Sequence, residues 1–255
     1  SLDTVGAFVG PLFATALMLL FVGDFRAVFW VAVVPAVLAV MLLLFGVREP
    51  EPAAEGAAGS PIRRELLGRL GRAYWAVVAI GGVFTLARFS EAFLVLRAEQ
   101  LGVAASFVPL VMVAMNLVYA LSAYPFGKLA DTMSHATLLA WGLGVLVAAD
   151  VVLALASSWP AMLLGVALWG LHMGMTQGLL SAMVADTAPQ DLRGTAFGLF
   201  NLVSGLAMLA ASGIAGLLWD RLGASSTFLA GAMFAVAALV ALVGWAASRT
   251  ATRAT

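Results

Sequence analysis

Cysteine is absent from the 255 residues, which excludes disulfides, thiolate metal sites and cysteine nucleophiles. Charge is scarce: Asp, Glu, Lys and Arg make up 10% of the chain, in equal numbers of each sign, so the net charge is zero. A neutral chain has no basic footprint for nucleic acid. The His-Glu-x-x-His helix, the Gly-x-Ser-x-Gly elbow and the phosphate loop ending in Gly-Lys-Ser/Thr are all missing, so the usual signatures of zinc, serine-nucleophile and nucleotide chemistry do not occur. No enzyme activity, cofactor or metal is expected. A basic start followed by a short apolar core is not evident after Ser1 and Asp3.

Apolar residues dominate instead, at 63% of the chain, with a mean hydropathy of +1.06. These values lie far outside soluble usage and describe an integral membrane protein. Apolar runs between charged or Pro/Gly-bearing breaks predict eight transmembrane helices, at 3–22, 26–47, 73–97, 106–126, 136–156, 160–185, 193–218 and 225–247. The runs are too long and continuous for barrel strands, which alternate over about 10 residues. Lys and Arg fall mostly on one side, with Arg48, Arg63, Arg64, Arg69, Arg72, Lys128, Arg193, Arg249 and Arg253 against Arg26, Arg97 and Arg221. The richer side is expected to be cytoplasmic, with both termini on it. The segment 48–72 reads as a linker, Pro-, Gly-, Ala- and Glu-rich, that ends in a stretch able to form an amphipathic surface helix or to remain a solvated positive-inside segment.

Within the third span, Arg88 and Glu91 interrupt an otherwise apolar stretch. A charge near the bilayer centre costs about 2.5–3.5 kcal/mol even on lenient insertion scales, so both side chains are expected to face protein or water. In a continuous helix they share a face with Phe84 and Val95. Two readings stand: a mutually neutralising ion pair used for packing, or part of a polar pathway. For a carboxyl taken out of water beside an arginine, the two influences on proton affinity oppose each other, which makes Glu91 the candidate proton carrier.

Sliding the first two spans onto the last two at an offset of 199 residues superposes Gly6 on Gly205, Leu19 on Leu218, Phe29 on Phe228 and Leu43 on Leu242. Residues 1–47 then read as the last two helices of one unit and 73–248 as a complete six-helix unit, with 249–255 a cytoplasmic tail. Three motifs carry a resemblance. Gly6-Ala-Phe-Val-Gly10-Pro11 resembles a fifth-helix Gly-x-x-x-Gly-Pro motif, with Leu12 where a glycine is usual; small residues four apart permit close helix approach and Pro11 a bend. Gly127-Lys128-Leu129-Ala130-Asp131 resembles the first half of the loop motif between helices 8 and 9, and Arg193-Gly194-Thr195-Ala196-Phe197-Gly198 the start of helix 11. Together they resemble the major facilitator superfamily over essentially the whole chain.

The resemblance implies an all-α fold of two six-helix bundles rocking about a central site, of which this chain matches helices 5–12. The four helices before Ser1 are expected as missing partners, in the same gene or a separate chain. It implies that helices 7, 8, 10 and 11 line the cavity, which ranks Arg88 and Glu91 first, then Asn116 and Tyr119, His172 and Gln177, and Asn201. Asn116 reads equally as a helix–helix hydrogen bond, His172 equally as a packing residue, and Asn201 first as packing. Asp131 is expected to hold a gate against Asp3 and Thr4, with simple loop capping as the alternative, and Gly6, Gly10, Pro11, Gly127 and Arg193 belong to the motifs. The expected function is proton-coupled export of a small organic solute across an inner membrane by alternating access, with lipid, solute and proton as partners. An uptake symporter or anion facilitator is the alternative within the family. A non-transporting subunit or truncated remnant is the alternative outside it.

Overall fold

The structure, a computed structural model, describes the backbone of residues 2–21, 24–46 and 64–254 and the side chains of residues 6, 9–21, 24, 26–46 and 67–248. Among the described residues the fold is entirely helical. The helices are α1 (Leu2–Leu20), α2 (Phe25–Gly46), α3 (Arg64–Arg69), α4 (Arg72–Ala87), α5 (Ala92–Gln100), α6 (Pro109–Ala130), α7 (His135–Leu155), α8 (Trp159–Thr176), α9 (Leu179–Thr187), α10 (Arg193–Leu222) and α11 (Ala224–Ala254). Seven stretches are long and apolar enough to cross a bilayer: 26–46, 72–100, 105–130, 135–155, 159–187, 190–222 and 224–248. The described apolar part of α1, Val9–Leu20, is shorter. The expected tail at 249–255 continues α11 to Ala254. Most of the 48–72 linker lies outside the described residues; of its expected surface helix, the six-residue α3 is described, while Ile62 and the Leu66 side chain are not.

Two of the expected spans are not single helices. The third divides into α4 and α5 at residues 88–91, and the sixth into α8 and α9 at Gln177–Gly178. In both, a threonine bonds back one turn just ahead of the break: Thr85 Oγ1 donates to the Gly81 carbonyl at 2.8 Å and Thr176 Oγ1 to the His172 carbonyl at 2.9 Å. Such back-bonding competes with the helical ladder and bends it. At the first break Arg88 leaves helical geometry at φ −103°, ψ 65°, and the Ser90 hydroxyl accepts the Ala92 N–H at 3.3 Å to start the next helix. At the second, Gly178 takes φ 75°, a left-handed conformation that favours glycine. Continuous apolarity concealed both interruptions.

The bundle forms around α4, α7, α8 and α11, whose buried faces carry most of the core, including Tyr74, Val77, Leu139, Leu146, Val166 and Phe228. α7 lies between α8 and α11; α6 joins on the far side of α8, and α10 on α4. The α6–α8 contact is backbone on backbone: a Cβ at Gly170 would land on the Met115 carbonyl oxygen, and one at Gly174 on the Ser122 side chain. Small residues of this kind are how membrane helices gain contact where apolar burial gives no advantage over lipid. α1 packs on α6, and α2 touches α1 alone at any length.

Several polar ties close the end of the bundle that holds Arg69, Lys128 and Arg193. Tyr74 donates its hydroxyl proton to the Ala196 carbonyl at 2.9 Å, joining α4 to α10. Arg69 pairs with Asp191 at 2.5 Å and His135 with Asp186 at 3.2 Å, both exposed. At the opposite end Arg97 donates to the carbonyls of Leu153 (3.2 Å) and Ala156 (2.7 Å), fastening α5 to the last turn of α7.

Candidate functional site

The break between α4 and α5 borders a cavity of about 280 Å³ lined by Arg88, Phe89, Ser90, Glu91, Trp169 and Met208. Unwinding explains why these side chains converge: residues 88–91 are consecutive, so on one helix they would spread around it, whereas the non-helical turn aims four of them at one space. Arg88 and Glu91 are both half-buried. They form no ion pair within 4.0 Å, so the mutually neutralising pair, one of the two readings of this stretch, is not formed. The Arg88 guanidinium lies over the Phe84 ring, 5.7 Å from its centroid, within the range of a cation–π contact. It is also close enough to interact electrostatically with Glu91, Tyr119 and His172.

Arg88, Glu91, Tyr119 and His172 are therefore brought into one neighbourhood. His172 nevertheless belongs to the core: it is fully buried, its Nδ1 is 2.8 Å from the Gly142 carbonyl oxygen, its ring is 5.6 Å from that of Phe84, and its Nε2 has no partner. Asn116 is half-buried on α6 and already engaged in an interaction. Gln177 sits exposed at the second break and Asn201 exposed on α10; neither lines the Arg88 cavity.

Phe89 and Ser90 were not singled out in the sequence. The signal was an Arg-Phe-Ser-Glu run in an apolar helix, beginning three residues after a threonine able to bond backwards. Phe89 is the hub of an aromatic cluster, with ring centroids 5.4 Å from Phe93, 5.4 Å from Trp169 and 5.6 Å from Phe228.

The motif residues occupy other places. Gly6 and Gly10 are exposed, and a Cβ on either would meet no atom within 4 Å, so the close helix approach expected of them is not found; Gly10 and Pro11 instead line a 560 Å³ apolar cleft between α1, α5 and α6. Gly127 is likewise open. Asp131 ends α6 and lines a 750 Å³ crevice with His135, Asp186 and Trp245; the Asp3 and Thr4 side chains expected opposite it lie outside the described residues. Arg193 begins α10, with Nη2 3.4 Å from the Ala185 carbonyl oxygen.

The family model of the Major Facilitator Superfamily matches residues 78–254. The chain belongs to the Major Facilitator Superfamily. An uncharacterized MFS-type transporter of Methanocaldococcus jannaschii is 30% identical over 240 residues, covering 92% of this chain and 59% of that protein. In fold, the chain resembles a bacterial homolog of the human lysosomal transporter Spinster in an inward-facing, unoccupied conformation, with a TM-score of 0.53 at 15% identity, over 94% of this chain and 63% of that one. The chain thus spans about three-fifths of the length of each. An all-helical integral membrane protein of a transporter family accords with the fold and with the apolar composition.

Proposed function

We propose that the chain serves secondary active transport of a small organic solute by alternating access, with proton-coupled export across an inner membrane, both termini cytoplasmic. Arg88 is the solute-facing cation, Glu91 the proton carrier and Tyr119 their neighbour, while Asn116, Gln177 and Asn201 belong to the pathway away from this cavity and His172 supports it from the core. The observation that carries this reading is the polar cavity at the α4–α5 break, where an arginine and a carboxylate share one space without an ion pair. Intramembrane ionisable groups of this kind mark substrate and proton pathways, and unwound helix segments are where membrane transporters expose backbone to solutes.

The unpaired Arg88 favours a second reading, an anion facilitator or uptake symporter. A guanidinium with unused donors is suited to a carboxylate or phosphate on the solute. Both readings are tested in proteoliposomes with imposed pH gradients and a panel of small organic anions and cations. The export reading expects solute-dependent proton flux that disappears in Glu91→Gln. Unchanged proton-driven transport in that variant overturns the role of Glu91, and anion flux that ignores the pH gradient but needs Arg88 establishes the facilitator.

A further inference from the structure

Asp150 lies in the last third of α7, which ends at Leu155, on the buried stripe of Leu143, Leu146 and Leu153. It is fully buried, and neither carboxyl oxygen has a hydrogen-bond partner. The space it fills is made for it: an added Cβ at Gly231 on α11 would stand 2.7 Å from Asp150 Oδ2 and 2.8 Å from Phe89 Cε1. A carboxylate in this setting demands a positive partner, because burying an ionised carboxyl without hydrogen bonds is prohibitive. The titratable and charged groups on the surrounding elements do not supply one. Lys128, Tyr124, His135 and Asp186 lie at one end of the bundle, where His135 pairs with Asp186 and Lys128 lies over the Tyr124 ring. Arg97 is taken up by the carbonyls of Leu153 and Ala156, and His172 Nδ1 by that of Gly142. Arg88 and Glu91 face the cavity beside Phe89, and Tyr119 interacts electrostatically with Arg88.

We propose that Asp150 is a proton-binding site of the bundle, loaded from the Arg88–Glu91 cavity past the Phe89 ring. Phe89 and Trp169 are walls of that cavity, and Phe89 Cε1 and Asp150 Oδ2 lie 2.8 and 2.7 Å from the same Cβ position at Gly231, so the Phe89 ring neighbours both the cavity and the carboxyl. Phe89 belongs to the non-helical turn 88–91, so its backbone is outside the helical ladder, and its ring moves when the contacts with Phe93, Trp169 and Phe228 open. The Trp169 indole N–H is a second buried group without a partner in the same cluster, available as a donor to the carboxyl when the ring moves. In the transfer, an O–H bond breaks at Glu91 or a cavity hydronium and one forms at an Asp150 oxygen, and no other bond changes. Neither Asp150 oxygen has a hydrogen-bonding partner within reach, so the shell of oxygen ligands that a hard metal cation requires is not assembled there.

Infrared spectroscopy of the purified protein in lipid vesicles tests this without any solute. The expected result is a protonated-carboxyl C=O band lost in Asp150→Asn, slow to shift in D₂O, and about tenfold faster to shift in Phe89→Ala because the opening step is easier. Gly231→Ala, which crowds Oδ2 but keeps the acid, is expected to move the band without abolishing it, and serves where Asp150→Asn does not fold. A folded Asp150→Asn with an unchanged carboxyl spectrum overturns the proposal, as does an unshifted band in Gly231→Ala, an unchanged exchange rate in Phe89→Ala, or loss of the band on adding sodium at fixed pH. The inference rests on the transport reading for its purpose only. If solute flux fails while the band behaves as described, that reading falls alone.

Discussion

Replacing Gly170 by alanine isolates the contact on which the site depends. The new methyl would fall on the Met115 carbonyl oxygen, with Met115 C at 3.2 Å and Tyr119 N at 3.3 Å. All three are backbone atoms of α6, so no side chain can rotate away and the two helices must separate, by roughly 1 Å. Overpacking of this kind costs about 1–3 kcal/mol. Gly144→Ala on α7 is the matched control, since a Cβ there meets nothing within 4 Å. Both variants gain the same helix propensity, about 0.8–1.0 kcal/mol, so their difference reports the clash alone. At roughly 2–4 °C per kcal/mol for a domain of this size, Gly170→Ala is expected to unfold about 2–12 °C below Gly144→Ala. The assay is thermal unfolding in mild detergent followed by circular dichroism. Because Gly170 abuts the Tyr119 backbone, solute binding near Arg88 is expected to weaken in Gly170→Ala as well. Equal or greater stability of Gly170→Ala would refute the backbone packing of α6 on α8.

Tyr74→Phe removes the tie from α4 to the Ala196 carbonyl and is expected to cost about 1 kcal/mol in the same melt. Asp186→Asn breaks an exposed pair with His135 and is expected to change stability by less than about 1 kcal/mol, with the small effect vanishing in high salt. In transport assays Arg88→Lys is expected to lose at least about tenfold in apparent solute affinity, since an ammonium does not reproduce the planar fork of donors; unchanged affinity would remove Arg88 from the solute site. Thr85→Val keeps the shape but not the hydroxyl, and is expected to straighten the α4–α5 junction, seen as faster spin-label dynamics lost at position 90.

The membrane class, the approximate spans and the family were legible because they rest on sums over many residues: apolar runs of bilayer length and motifs at ordered spacings. The two helix breaks were not, although their chemistry was written in Thr85, Ser90, Thr176 and Gly178. Hydropathy does not register a hydroxyl that turns back on its own helix, and a single-helix reading then put Arg88 and Glu91 on a face with Val95 when the chain in fact unwinds between them. Asp150 was visible as a charge within a span, but its burial depends on α11 presenting Gly231, a contact between residues 81 positions apart. For the motif glycines Gly6 and Gly10, a local pattern suggests close packing, and among the described residues no atom comes within 4 Å of a Cβ at either.

The two breaks also decide how the bundle can deform. α7, α10 and α11 are uninterrupted helices of 21 residues or more, and α6, equally long, carries Pro125 inside it, where one backbone hydrogen bond is missing. α4–α5 and α8–α9 are jointed, each with a nine-residue segment beyond its joint. The two run in opposite directions through the bundle, so the short segments α5 and α9 emerge at opposite ends of it. Mechanical compliance is thus concentrated in two short levers, one at each end of the bundle, set against the longer continuous helices.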